Sequence, residues 1–518
     1  MLSAKLSTKT DTSKAQAEAI AELKKYYPQL PENLVIEGNL NLAERRIKKL
    51  PNGLTIRGSL DLRYCWMLDQ FPTDLTVMGN LYFDSANEEC VFTDGLVVYG
   101  NLEGVKDTQL VDNMTIGGDL VFKHKYIRQL PNNLTVGGSL DVSRGPKDVN
   151  WEIKQLPKGL KVMGNLNLTG QPIEELPDDL YVGGNLLLSN TKISRIPETL
   201  KVNGSLCIQG TNVRSLPKNL TRINGCLYIG NTKIKALPDN MFILDTLDIS
   251  ESSLRELPEG LHVGEDLWME NSLITEFPEN FFVGGDINAE DSNFEVLPKK
   301  LHLPIGLNIS DTEVSELPAD LKIGGWLDIR NTNITAVPAM IDAEKFMPQT
   351  GKLKTLPTDF HVTGTLDLDL PYDAEGDGWI TSLPDGLSVG GDLQLGNCGI
   401  KKLPSGLKVG GDLFMEQTVL TSIPEDAFIG GGIFYEVMDN CNMLKFLSGE
   451  ITFKYPVYFN EKVINEWLKF YQTSLLHSNT FKEEEKKLRE RLVVCEKHNW
   501  YFRLMPAKKP VRSKNEYI

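Results

Sequence analysis

Few residues of this chain have the types and spacing that metal binding requires. Asp373, Glu375, Asp377 and Gly378 match the first half of a calcium-binding loop, in which side-chain oxygens alternate along the chain. Pro384, however, stands where such a loop places its bidentate Glu, and no helical pattern flanks the segment. None of the six histidines has an H-E-x-x-H neighbour: His124, His262, His302, His361, His477 and His498. We therefore expect no metal site.

Covalent and cofactor chemistry are not indicated either. The seven cysteines are scattered singly, without C-x-x-C spacing, and no nucleophile lies beside a base. Cys207 and Cys226 lie on neighbouring repeats but two residues out of line, which argues against a disulfide. The recurrent G-G-D-L strings lack the Lys and the following helix of a phosphate loop. The sequence predicts a non-enzymatic protein of a reducing compartment, with no catalytic residue and no cofactor.

The dominant feature of the sequence is a repeat of about twenty residues between Gly38 and Gly431. Each copy reads approximately G-x-L-x-L-x-x-T-x-I-x-x-L-P-x-x-L-x-V-x, and positions are numbered here from its first glycine, the origin. Nineteen copies can be anchored, with glycine at sixteen origins and other residues at Asp245, Glu265 and Ile305. Fourteen of the eighteen gaps are 20 or 21 residues. Such regularity predicts one stack of repeats rather than several separate domains.

The G-x-L-x-L part of each copy predicts a short β-strand, because its apolar residues alternate with outward-facing ones. Twenty residues leave no room for a crossover helix, so we expect one strand per copy, stacked in parallel on the next. Apolar residues at +2, +4, +9, +12, +16 and +18 then form one core. A small hydroxyl or thiol at +7 is expected to satisfy backbone groups where the chain leaves the strand. This column is Thr191, Thr211, Thr232, Ser252, Ser272, Ser292, Thr312, Thr332, Cys398 and Thr418.

These positions resemble the consensus L-x-x-L-x-L-x-x-N-x-L of leucine-rich-repeat proteins, with Thr or Ser in place of Asn. The 20-residue period and the recurrent Leu-Pro are similar to the short bacterial type, known from effectors that pathogenic bacteria inject into host cells. The resemblance covers residues 30–436 and implies a parallel-β solenoid, an arc of about 19–20 coils. One group of those effectors carries a ubiquitin-ligase domain, but neither Cys441 nor Cys495 has its C-x-D context, so that activity is not carried over.

The two ends of the chain depart from the repeat. Residues 12–27 place apolar side chains on one helical face, which predicts a capping helix after a disordered start within residues 1–29. The solenoid is expected to span residues 30–450. Residues 451–518 predict two helices, near 460–476 and 480–500, followed by a basic tail. This segment either closes the open end of the solenoid or binds a partner.

Three places interrupt the period. Residues 144–149 and 369–379 are insertions, and the copy near residues 340–350 has lost its pattern. Long excursions from a rigid scaffold often carry function. The second insertion contains the half-matched calcium loop, but its incomplete ligand set favours a surface loop.

Net charge and hydropathy limit the classes of partner. The chain carries −16, and residues 454–518 carry 14 Lys or Arg against 8 Asp or Glu, or +6, which leaves −22 for residues 1–453. Acidic repeats disfavour nucleic acid as a partner. No apolar run reaches the roughly 20 residues of a membrane span, and the start of the chain lacks the apolar core of a secretory signal. We expect a cytoplasmic protein, or one exported into a host cell without a signal peptide.

Outward positions on the strands supply the candidate partner-binding residues. Position +1 is mostly small and polar, as at Asn39, Ser59, Asn80, Asn101, Asp119, Ser139, Asn165, Asn185, Ser205, Asp266 and Asp286. Aromatic residues interrupt this polar face: Tyr82, Tyr228, Trp268 and Phe414 at +3, and Trp326 at +1. Exposed aromatic residues are typical of protein-binding sites. We therefore expect a scaffold that binds a host or partner protein on its concave face, as a bacterial effector or a phage-borne protein. Two alternatives stay open: an acidic rod that is structural or mimics nucleic acid, and an enzyme in the C-terminal segment.

Overall fold

The computed structural model describes residues 2–84, 90–93, 95–122, 127–144, 152–299, 301–370, 379–416, 420, 423–424, 426–436 and 457–458. The chain forms two compact units, Met1–Gly284 and Gly285–Ile518. Both are built from the same coil, and each is a parallel β-solenoid of the leucine-rich-repeat kind.

Each coil contains two short parallel strands, one more than the sequence pattern predicts. The front strand begins one or two residues after the origin, as in Leu186–Leu187, and is the predicted one. The back strand lies at positions −3 and −2, as in Tyr181–Val182, and ends before the origin at Gly184. A strand of two residues with one buried side chain shows no alternation, so its pattern is invisible in the sequence.

The described residues of unit 1 contain one α-helix and most of the strands. The helix is Leu2–Lys24, and Asp107–Gln109 forms a 3-10 turn. The back strands are Val35–Ile36, Thr55–Ile56, Thr76–Val77, Val97–Val98, Thr115–Ile116, Thr135–Val136, Lys161–Val162, Tyr181–Val182, Lys201–Val202, Arg222–Ile223, Phe242–Ile243, Leu261–Val263 and Phe281–Val283. The front strands are Leu40–Asn41, Leu60–Arg63, Leu81–Asp84, Leu102–Val105, Leu120–Phe122, Leu140–Asp141, Leu166–Asn167, Leu186–Leu187, Leu206–Cys207, Leu227–Tyr228, Leu247–Asp248 and Leu267–Trp268.

Unit 2 continues the same two-strand coil. Its back strands are His302–Leu303, Lys322–Ile323, Met340–Ile341, His361–Val362, Ser388–Val389, Lys408–Val409 and Phe428–Ile429. Its front strands are Ile287–Asn288, Leu307–Asn308, Trp326–Asp328, Lys345–Met347, Thr365–Asp367, Leu393–Gln394, Leu413–Glu416, Ile433–Glu436 and Val457–Tyr458.

The register keeps equivalent positions of successive coils in line. Leu186 pairs with Leu206, and Leu206 pairs with Leu227, so position +2 forms a continuous leucine column. The expected core positions are confirmed in the coil that starts at Gly225, where all six are buried: Leu227, Ile229, Ile234, Leu237, Met241 and Ile243. Each such side chain contributes about 1.5–3 kcal/mol of burial free energy, which one coil alone could not obtain.

In many coils, residues in the left-handed backbone region form the turns at two positions. One lies at position +6, where Asn190 and Asn231 have φ of 60° and 52°. The other lies five residues before an origin, where Asn133 and Asn240 both have φ of 54°. Asn, Asp and Gly tolerate this conformation best, which explains their recurrence at both corners.

The predicted role of position +7 is confirmed. Thr211 Oγ1 donates a hydrogen bond to the carbonyl oxygen of Ile208 at 2.7 Å, and Thr232 Oγ1 donates to that of Ile229 at 2.7 Å. Cys398 Sγ makes the corresponding contact with the carbonyl of Leu395 at 3.0 Å. Ser292, Thr312 and Thr332 donate in the same way to the carbonyl at +4, the residue after the front strand. Thr191 Oγ1 and Ser272 Oγ are exceptions among the described residues, because they are buried without a hydrogen-bond partner. Thr418 lies outside the described residues.

The N-terminal helix packs on the first coil. Ala19 and Leu23 are buried, and the Gln16 side chain exchanges two hydrogen bonds with the backbone of Asn52, at 2.8 and 3.0 Å. Glu22 Oε1 accepts a hydrogen bond from the Lys48 N–H at 2.8 Å. The helix begins at Leu2 rather than near residue 12, so the opening residues that we expected to be disordered lie within it.

The segment near residues 340–350 forms a regular coil although its sequence has lost the repeat pattern. It contains the back strand Met340–Ile341 and the front strand Lys345–Met347, with Phe346 buried at +2. Glu344 at the origin hides the repeat from a glycine-based search. The predicted helices near 460–476 and 480–500, the basic tail, residues 145–149 and residues 371–378 lie outside the described residues.

Candidate protein-binding surface

The small polar side chains at +1 form a hydrogen-bonded ladder instead of a free outer face. Asn39 Oδ1 accepts a hydrogen bond from the backbone N–H of Ser59 at 2.8 Å, and Ser59 Oγ accepts one from the N–H of Asn80 at 3.0 Å. The same bond continues through Asn101, Asp119, Ser139, Asn165, Asn185 and Ser205 to the N–H of Cys226. The acceptor atoms of this column thus bind the backbone of the following coil.

The ladder also explains the glycine at the origin. A Cβ on Gly58 would come within 3 Å of Asn39 Oδ1, and one on Gly184 would come equally close to Asn165 Oδ1. Neither glycine has a left-handed φ, so the requirement is for space alone. The two unit 1 origins without glycine, Asp245 and Glu265, follow coils in which Cys or Thr replaces the Asn, Asp or Ser at +1.

Polar side chains at +3 end the front strands. Asp248 Oδ1 accepts a hydrogen bond from the backbone N–H of Ser250 at 2.9 Å, and Asn167 Oδ1 accepts one from Thr169 at 3.1 Å. The same contact from +3 to +5 recurs at Asn41, Asp61, Asp141, Asn288, Asn308, Asp328 and Asp367. A side-chain acceptor two residues back is the usual Asx turn.

Tyr228 and Trp268 are the only two of the five predicted aromatic residues with a ring contact between them among the described residues. Their centroids are 6.2 Å apart, with the planes tilted by 44°. Their strands are two steps apart in the stack, with one coil between them, which at about 4.8 Å per stacked strand corresponds to about 10 Å. The rings therefore lean towards each other across the coil between them.

Asp248 is the +3 residue of that intermediate coil, and it is 6% exposed. Its Oδ2 accepts a hydrogen bond of 2.6 Å from Gln209 Nε2, two coils earlier. The Gln209 side chain passes Gly230, where an added Cβ would lie 3.4 Å from both Asp248 carboxylate oxygens. The structure thus adds a carboxylate and an amide to the aromatic pair. The sequence analysis identified neither Asp248 nor Gln209, although the Asp at +3 in L-D-I-S could have indicated the carboxylate.

The neighbouring thiol and phenol are held protonated. Burial raises the pKa of Cys207 to about 12, with smaller contributions from Cys226 and Asp248. Burial also raises the pKa of Tyr228, together with a hydrogen bond to Cys226. Both Cys207 and Cys226 are free thiols. The carboxyl group of Asp248 thus lies beside a protonated thiol and a protonated phenol.

The other predicted aromatic residues have separate environments. The Tyr82 hydroxyl accepts a hydrogen bond from Asn80 Nδ2 at 2.9 Å, and the Arg63 guanidinium lies 5.3 Å from its ring centroid. In unit 2, Phe414 stacks on Phe434 with centroids 4.7 Å apart. The Trp326 indole covers Gly306, where an added Cβ would come within 3 Å of the ring. Tyr82, Trp326 and Phe414 therefore each contact neighbours other than those of the Tyr228–Trp268 pair.

The back strands of unit 1 carry a second aromatic cluster, which the sequence did not indicate. His262, which we expected to be an ordinary surface residue, stacks between Phe242 and Phe282 with centroid distances of 4.6 and 4.5 Å. The Arg222 guanidinium lies 4.2 Å from the Phe242 centroid. All four occupy position −3, so the parallel register stacks them in one column.

Two searches of the described residues gave negative results. None of their helices has the length and apolar character needed to cross a membrane. No group of three or more His, Cys, Asp or Glu side chains in the described part of the chain has a metal-binding arrangement.

Comparisons with known proteins gave matches among solved structures only. No protein-family model and no curated protein matches the sequence. The solved structure of YopM from Yersinia enterocolitica is 18% identical, with a TM-score of 0.42, over 80% of this chain and 94% of that chain. For YopM from Yersinia pestis, a leucine-rich effector protein, the identity is 19%, the TM-score 0.33 and the coverage 60% and 84%. For the Toll–Spätzle complex of Drosophila these values are 12%, 0.40, 82% and 68%. The coils of this chain resemble leucine-rich repeats in their sequence pattern and in their stacked parallel strands.

Proposed function

We propose that this chain is a non-enzymatic scaffold that binds another protein through the front strands of unit 1, around Tyr228, Asp248 and Trp268. The observation that supports this proposal is the pair of leaning aromatic rings with a buried carboxylate between them. Aromatic side chains supply large, rigid contact areas, and a partly desolvated charge adds specificity. The acidic repeats favour a partner with a basic surface.

The partner is a host protein if the chain is an injected effector or a phage-borne protein, and a protein of the same cell if it remains cytoplasmic. In either case the same front-strand surface binds a partner with a basic surface. The proposed binding therefore does not depend on the organism from which the chain comes.

Affinity capture with the intact chain as bait tests this proposal. The double variant Tyr228→Ala, Trp268→Ala removes both rings of the site. The matched control is Trp66→Ala, Tyr99→Ala, which removes one Trp and one Tyr that are 52% and 59% exposed outside the front strands of the same unit. A partner retained by the control and lost by the first variant supports the proposal. Equal capture by both variants would contradict it.

The acidic-rod alternative is disfavoured by the +1 ladder. Mimicry of nucleic acid needs carboxylates at regular spacing, but Asn and Ser dominate the ladder and hold neighbouring coils together.

For the C-terminal segment, we propose a cap over the last coils. Deletion of residues 455–518 should lower stability but leave capture unchanged; an activity lost with these residues would favour the enzyme alternative.

A further inference from the structure

Two coils of this chain show what an Asp at +3 can bind. In the first, Arg63 at +5 donates to Asp61 through Nε at 3.0 Å and through Nη2 at 2.6 Å. In the second, Arg330 makes the same pair of contacts with Asp328, at 3.0 and 2.5 Å. The carboxylates are 9% and 2% exposed. The front strand thus has a built arrangement in which a guanidinium reaches a buried +3 carboxylate from the +5 side.

The first of these coils adds an aromatic ring. Tyr82 at +3 of the next coil lies under the Arg63 guanidinium, 5.3 Å from it. Burial alone would raise the pKa of Asp61, but the hydrogen bonds and charge of Arg63 prevail, and this pKa is lower than its ordinary value. A bidentate ion pair and a cation–π contact therefore act on the same cation.

Asp248 repeats this arrangement with one difference. Trp268 occupies +3 of the following coil, as Tyr82 does after Asp61, and Tyr228 adds a second ring from the preceding coil. At +5, however, Ser250 stands where Arg63 and Arg330 stand. No basic side chain of the described residues forms an ion pair with Asp248. The carboxylate accepts bonds only from neutral groups, Gln209 Nε2 and the Ser250 N–H.

Two of the +5 residues near Asp248 are small. Ser250 lies on its own coil and Gly230 on the preceding one, whereas Gln209, at +5 of the coil before that, donates to Asp248 Oδ2. A carboxylate has about four acceptor positions, of which two are used here. We propose that this site accepts the guanidinium of an arginine on the partner protein, which pairs with Asp248 from the +5 side and stacks on Trp268. This inference rests on the proposed function, because it names the partner group that the same surface recognises.

Arginine fits this geometry better than lysine. Its planar fork can donate to both carboxylate oxygens and stack on an indole at once, as Arg63 does with Asp61 and Tyr82. An ammonium group is a point charge and can make only one of these contacts well. Citrulline has nearly the same shape without the charge, so it separates the ionic contribution from packing.

The test is a titration of the intact chain with N-acetylarginine amide, followed by the indole N–H resonance of Trp268, which a Trp268→Phe variant assigns. We expect a saturable shift with the arginine compound, a weaker one with N-acetyllysine amide and none with N-acetylcitrulline amide. Asp248→Asn should weaken binding of the arginine compound about tenfold or more. This variant keeps the bond from the +5 N–H, because Asn167 makes the same bond with Thr169.

Ser250→Arg provides the most specific variant. It places an arginine at +5, the position that Arg63 and Arg330 have in their own coils. This arginine should pair with Asp248, so binding of N-acetylarginine amide should be lost. Thr169→Arg is the matched control: it has the same +5 position, the same exposure class and a neutral Asn167 at +3. Equal binding of the citrulline compound, unchanged binding by Ser250→Arg, or no saturable shift would each overturn the inference. If any of these results is found, but affinity capture of a partner still requires Tyr228 and Trp268, only the inference about arginine fails and the proposed function stands.

Discussion

The backbone N–H of Ser59 donates a hydrogen bond to Asn39 Oδ1 at 2.8 Å, across neighbouring coils. A Cβ on Gly58, the residue before Ser59, would come within 3 Å of that same oxygen. The two most repetitive features of the sequence, the origin glycine and the small polar residue after it, are therefore two halves of one contact. The glycine makes the approach of the coils possible, and the polar side chain satisfies the N–H that the approach buries.

Replacement of an interior origin glycine should destabilise the solenoid. Gly184→Ala would bring a Cβ within 3 Å of Asn165 Oδ1, and we expect a loss of about 1–3 kcal/mol in the free energy of unfolding by urea. Gly38→Ala is the matched control, because no atom lies within 4 Å of its added Cβ. Its stability should stay within about 0.5 kcal/mol of the wild type. Equal losses of stability in both variants would show that the +1 ladder is not the reason for glycine at the origin.

Removal of a ladder acceptor should be costly unless a hydroxyl replaces it. Asn165→Ala leaves the backbone N–H of Asn185 without its side-chain partner, which we expect to lower the free energy of unfolding by about 1–3 kcal/mol. Asn165→Ser should restore most of this loss, because Ser59, Ser139 and Ser205 fill the same position elsewhere. The pair of variants is compared by urea unfolding; identical stabilities would contradict this role for the side chain.

Much of the fold was predictable because its signals are periodic. Alternating Leu186 and Leu188 indicate the front strand and its buried side, and Thr211 with Cys398 reveals the +7 column. The back strand Tyr181–Val182 was missed because two residues cannot display a period. The coil at Glu344 was missed because its origin lacks glycine, although Phe346 still fills the core at +2.

The binding surface was predictable only in part. Tyr228 and Trp268 were identified by position, but the sequence does not show that their rings lean together over Asp248. The Gln209–Asp248 contact spans two coils and depends on the absence of a side chain at Gly230, a coincidence of three repeats that no single copy reveals. The bonds made by the +1 residues were not predictable, because a polar residue that serves the backbone and one that faces solvent have the same composition.

Buried thiols should make the fold sensitive to alkaline pH. Burial raises the pKa of Cys207 from 9.0 to about 12, so between these values the unfolded chain releases a proton that the folded chain keeps. The stability associated with this thiol is complete below pH 9 and falls as the pH rises towards 12, by about 1.4 kcal/mol per pH unit. Cys207→Ala should therefore lose stability less steeply than the wild type between pH 9 and 11. Urea unfolding at several pH values measures both slopes, and parallel curves would contradict the assignment.

The central claim, that the front strands around Asp248 are the binding surface, is tested most directly by site-specific photo-crosslinking. Benzoylphenylalanine replaces Tyr228 in one sample and Tyr99, which lies outside the front strands of the same unit, in another. In extracts of cells that contain the partner, the account predicts one discrete crosslinked protein from position 228, absent from position 99 and suppressed by the added Ser250→Arg substitution. A partner crosslinked from position 99 but not from position 228 would contradict it.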